Sequence, residues 1–112
     1  MKKFVVLYKS PKSAAEAIAE ASPEEAEAGM KMWTDWAAKA GDGLVDFGTP
    51  LGAAKVMNGS SVSDGDATLG GYSIVQAEDL DAAVALMEGH PHFMSGEGAE
   101  IQVIETLEIP GM

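Results

Sequence analysis

The side chains best suited to chemistry near neutral pH are the only two histidines of this 112-residue chain, His90 and His92, which flank Pro91. Imidazole titrates close to neutrality, so either ring can serve as a general acid or base, or hold a metal through a neutral nitrogen. An i, i+2 spacing in extended backbone aims both rings the same way. A metal would need more ligands, with Asp46 or Glu105 the best placed, but a bare His-x-His is a weak signal and no metal is expected. The alternative is structural. One histidine then caps a helix C-terminus, where positive charge is favourable, and the other is a satisfied interface residue.

Two carboxylates stand out because they interrupt apolar strands. Glu105 lies in IQVIETLEI and Asp46 in LVDFGT. Each sits either at a wet rim or beside a cleft that raises its pKa. If Asp46, Glu105 and a histidine meet between a sheet and a helix, they form an acid/base set of the kind used by small-molecule isomerases, lyases or hydrolases. Tyr8 and Tyr72 can add hydroxyls for substrate binding, or simply pack in the core.

Several chemistries are excluded. Without cysteine there is no disulfide, thiolate nucleophile or Cys-ligated metal, which fits a cytoplasmic protein. Asp64 and Asp66 do not continue into a calcium loop. Gly70-Gly71 precedes a strand instead of joining strand to helix, so no phosphate cradle and no cofactor is expected. Seven basic against eighteen acidic side chains leave a net charge of −11, which opposes binding to nucleic acid or anionic lipid. The apolar run Phe4 to Tyr8 is too short for a secretory or membrane-spanning segment.

The elements that must position these residues follow from pattern. Lys3 to Tyr8 reads as a strand with Phe4, Val6 and Tyr8 on one face and Val5 and Leu7 on the other, apolar on both sides. A short helical turn is expected around Ala14 to Ala19. Ser22-Pro23-Glu24-Glu25 opens a longer helix with an N-cap, a proline and a capping glutamate. That helix runs to Ala40 and stops at Gly41, with an apolar stripe of Ala26, Gly29, Met30, Trp33, Trp36, Ala37 and Ala40. Leu44 to Thr49 is a second strand, and Ala53 to Met57 can add a short one. Asn58-Gly59 is a turn, and Ser60 to Asp66 a polar loop. Tyr72 to Ala77 is a strand. Asp79 caps a helix with the stripe Leu80, Ala83, Val84 and Met87, closed by Gly89. Glu100 to Ile109 is a last strand with Ile101, Val103, Glu105, Leu107 and Ile109 on one face.

The order implies a single α+β domain, ferredoxin-like βαββαβ, with an antiparallel sheet and helices on one face. Helices cover only one side, yet the first strand is apolar on both, and Ile104 faces away from its own strand's main apolar set. A second copy is the simplest cover, which gives a homodimer through the sheet face.

The whole chain resembles the YCII-related proteins. The likeness lies in KFVVLYKSP, in WTDWAAKAGDGLVDFGTPLG, in VSDGDATLGGYSIVQAEDLDAAVALMEGHPHF and in IQVIETLEIPGM. It implies a dimeric α+β barrel. It also implies, for the better-known members, an enzyme using a His–Asp pair. This chain has no histidine before His90, and Asp64-Gly65-Asp66-Ala67 stands where a related branch has DGPF. Two functional readings therefore stand: a small homodimeric enzyme acting on a metabolite by His/carboxylate chemistry, or a non-catalytic small-molecule-binding or dimerisation module.

Overall fold

The computed structural model describes residues 1–65 and 68–111. Asp66 and Ala67, part of the predicted polar loop and of the tetrapeptide just compared with DGPF, lie outside the described residues.

The first strand, β1 (Lys2–Lys9), occupies the middle of the sheet. Two helices follow. Ser13 accepts the Glu16 N–H to start α1 (Ala14–Glu20), and α2 (Pro23–Ala40) begins with the reciprocal capping box between Ser22 and Glu25. The second strand, β2 (Leu44–Asp46), comes after Gly41, and a hairpin of β3 (Lys55–Asn58) and β4 (Ser61–Asp64) is inserted before β5 (Leu69–Ala77). Then α3 (Leu80–Leu86), a 3-10 turn over Pro91–Ser95 and β6 (Glu100–Glu105) complete the chain.

The main sheet has the order β2-β5-β1-β6, with every pairing antiparallel. β5 lies between β1 and β2, and β1 lies between β5 and β6, so each β-α-β unit is split by a strand of the other. The architecture is α+β, and this strand order is compatible with a ferredoxin-like arrangement.

Register assigns the faces. Directly opposed residues share a side of the sheet, so Val75, Phe4 and Glu105 form one row, Ser73, Val6 and Val103 the next, and Gly71, Tyr8 and Ile101 a third. This face carries the core. Phe4, Val6 and Val75 are fully buried, packed with Trp36 of α2 and with Ala83 and Met87 at α3. The other face presents Ile74, Val5 and Ile104 in one row and Tyr72, Leu7 and Gln102 in the next. Its apolar members are half-buried or exposed. The molecule measures 47 × 44 × 21 Å, so its short dimension holds just two layers at the ~10 Å spacing of packed layers. Sheet and helices account for both.

Several sequence expectations shift. The predicted loop after Asn58-Gly59 is instead β4, paired with β3 across a tight turn in which Gly59 has φ +63°. β2 is only three residues long because a register shift between Leu44 and Asp46 breaks its alternation. β6 stops at Glu105, opposite Phe4; the Thr106 N–H and hydroxyl both bond the Lys3 carbonyl, and beyond them Leu107 and Ile109 are exposed. On α3 the buried side is Ala83 and Met87, flanked by Ala82 and Leu86, while Leu80 and Val84 face out. In the first turns of α2, Ala26 and Met30 are exposed, so the predicted stripe is buried only farther along the helix, at Trp36.

Candidate functional site

Local chain geometry delivers both histidines to one corner. α3 ends at Leu86 with Met87 as its C-cap, and Gly89, with φ +70°, turns the chain so that the His90 N–H donates to the Met87 carbonyl (3.1 Å). Pro91 then fits the first position of a 3-10 turn that begins with His90 as its cap. The His92 backbone N–H donates to His90 Nδ1 at 2.9 Å. Because Nδ1 is the acceptor, the neutral ring carries its proton on Nε2.

That ring is enclosed by aromatics. His90 is 1% exposed, and ring centroids of Trp36, Trp33 and Tyr8 lie 4.4, 4.5 and 4.9 Å away. Its Nε2 has no hydrogen-bond partner among the described residues. Burial, helped by the nearby His92, lowers its pKa from 6.5 to about 4. His90 is therefore neutral at pH 7. Around it, Trp33 meets Tyr8 edge-on at 4.9 Å and stacks at 6.2 Å on Phe47, while Trp36 Nε1 donates to the Leu86 carbonyl at 2.9 Å.

His92 is also buried. Its Nε2–H donates to the Lys9 carbonyl at 2.8 Å, which ties the corner to the end of β1. Its ring lies 5.4 Å from that of Tyr8.

Tyr8 heads a polar chain below this cluster. Its hydroxyl donates to Ser73 Oγ at 2.8 Å, and Ser73 donates in turn to the Phe47 carbonyl at 2.7 Å. Burial raises the Tyr8 pKa, and the bond to Ser73 partly opposes this. Ser73 was missed from sequence, although it shares the parity of Val75 and Ala77 and so had to face the core. The cage around His90 was missed too, because tryptophans 54 and 57 residues upstream give no local sign of what they enclose.

The two carboxylates do not join this group. Glu105 is opposite Phe4, four residues along β1 from Tyr8, or about 13 Å at ~3.3 Å per residue. It is half-exposed and pairs with Lys2 at 3.3 Å. Asp46 is exposed, and its Oδ1 accepts the Gly48 N–H at 2.9 Å, closing its own turn. Tyr72 is opposite Leu7, on the face away from the helices. Among the described residues no group of three or more His, Asp or Glu side chains is placed to hold a metal ion, and no helix is long and apolar enough to cross a membrane.

Antiparallel sheet, helices on its core face and a buried histidine corner define a small α+β domain. The chain belongs to the YCII-related domain family, whose pattern it matches over residues 1–107. A comparison with curated proteins found no match.

Proposed function

We propose that the protein is a homodimeric module in which two copies stack their sheets face to face as a dimeric α+β barrel, and that His90 and His92 hold a corner instead of performing catalysis. The observation that carries this reading is the uncovered sheet face, with Val5, Leu7, Tyr72, Ile74 and Ile104 in adjacent rows. Burying one such side chain contributes about 1.5–3 kcal/mol, so a second copy of the patch is a favourable cover even after association costs. The local charge agrees. In a chain of net charge −11, this face carries Lys3 and Lys9 against Glu100 and Asp46, the latter opposite Ile74, so its charges balance and two copies can approach there without strong repulsion.

On this reading a small-molecule ligand sits in the space formed by the union, where Tyr72 offers a hydroxyl among apolar neighbours. The absence of cysteine and the acidic charge support a cytoplasmic setting without nucleic-acid or membrane partners. A metabolite panel screened by thermal shift tests the module. A stabilising hit that survives His92→Ala and weakens in Tyr72→Phe is expected. A hit abolished by the histidine variants and indifferent to Tyr72 would contradict it.

One observation favours acid/base chemistry as a second reading. His90 Nε2 is buried without a partner among the described residues, and its ring packs against Tyr8, whose hydroxyl bonds Ser73. That chemistry requires the aromatic cage to open, and it would use neither Glu105 nor Asp46 where they now sit.

A further inference from the structure

The hairpin β3–β4 is the part of the chain that the fold leaves unexplained. All eight of its strand residues are exposed. Its two strands form a separate sheet and, among the described residues, pair only with each other; its base is closed by the Gly65 N–H to the Ala54 carbonyl. One face carries Met57 opposite Val62, next to the ion pair of Lys55 with Asp64; the other carries Val56. Met57 is 74% and Val62 59% exposed. An isolated two-stranded hairpin is marginal in water at best. The radius of gyration, 15.5 Å, also exceeds the ~13 Å expected of a compact chain of this length, as a projecting arm requires.

We infer that this hairpin is an arm that clasps the second copy of the chain, with the Met57–Val62 face laid on the partner. The inference rests on the dimer proposed above and extends its interface. Three observations favour a second copy as the occupant. The arm is inserted between β2 and β5, neighbouring strands of the main sheet, so it leaves from the rim of the proposed interface. Its single lysine and single described carboxylate cancel, which gives a neutral patch on a strongly acidic chain. The area argument agrees. Four strands about 4.8 Å apart and about six residues long make a face of roughly 19 by 20 Å in plan. Even doubled for side-chain relief this only reaches the ~800 Å² per partner of a standard interface. A two-fold supplies two arms, each adding roughly 13 by 10 Å in plan.

Hydrogen exchange and sedimentation equilibrium on the full chain test this, comparing wild type, Met57→Glu/Val62→Glu and Ile74→Asp. The expected result is a wild-type dimer whose hairpin amides at residues 55–64 are protected. The hairpin double variant then raises the dimer Kd about tenfold or more, since each substitution acts twice per dimer. Ile74→Asp, designed to break the sheet contact, also releases the hairpin amides. A wild-type dimer with hairpin amides exchanging at unprotected rates, or with a Kd indifferent to the double variant, overturns the arm and leaves the sheet-stacked dimer standing. A wild-type monomer overturns both.

Discussion

Replacing His90 by phenylalanine should remove a specific part of the protein's acid sensitivity. In the folded chain the ring is neutral down to about pH 4, whereas an unfolded histidine protonates near 6.5. Between those values the unfolded state binds a proton that the folded state refuses. Stability is therefore fully present above pH 6.5 and falls as the pH drops from 6.5 to 4. A gap of about 2.5 units at 1.36 kcal/mol each makes the loss about 3 kcal/mol, and below pH 4 no more is lost through this group. Phenylalanine keeps an aromatic ring against Trp33, Trp36 and Tyr8 but gives up the bond from the His92 N–H, at a cost of about 1 kcal/mol at pH 7. Urea unfolding at fixed protein concentration from pH 7 to 4 reads the effect. The eighteen carboxylates titrate in both proteins, so the difference between the two curves isolates His90. Wild type should lose about 3 kcal/mol more than the variant over that range. Parallel curves would refute the reasoning. So would an NMR titration of wild type placing the His90 midpoint near 6.5, a test that does not need the variant to fold.

Other substitutions probe the remaining parts of the account. Gly48→Ala should destabilise by well over ~1 kcal/mol in thermal unfolding, because φ is +79° and the new Cβ would fall 1.7 Å from the Tyr72 carbonyl oxygen. Ser22→Ala should cost about 1 kcal/mol in urea unfolding by removing the capping box of α2. Glu105→Gln and Asp46→Asn should leave the NMR titration of His90 unchanged, since neither carboxylate reaches the ring; a clear shift in either variant would reinstate an acid/base set.

The legible parts of the chain were those set by local chemistry. The capping box at Ser22 and Glu25, the Asp79 cap, the Gly89 stop and the Asn58-Gly59 turn are each written within a few residues, and each stands where the pattern placed it. Lys31 and Asp35, one turn apart on α2, pair at 2.8 Å by the same kind of local spacing. The two-sided apolar pattern of β1 was readable for the same reason. What failed depended on distant neighbours. β6 ends four residues short of what its apolar alternation predicts, because how far it stays paired with β1 is not encoded in β6. The α3 stripe was turned by the surface it meets, so Val84 faces water and Ala82 and Leu86 turn inward. The candidate site suffered most. Residue type singled out His90, His92, Asp46 and Glu105, but only sheet register shows that Glu105 lies at the other end of β1 from the histidine corner, and only the packed helix shows what surrounds His90.

Sedimentation equilibrium of the wild-type chain over a wide concentration range, beside Ile74→Asp, tests the central claim most directly. The account predicts a wild-type mass of twice 11.6 kDa and a variant mass of 11.6 kDa. A wild-type mass of 11.6 kDa at the highest concentration, with the methyl groups of Val5, Leu7 and Ile74 in contact with solvent, would contradict it.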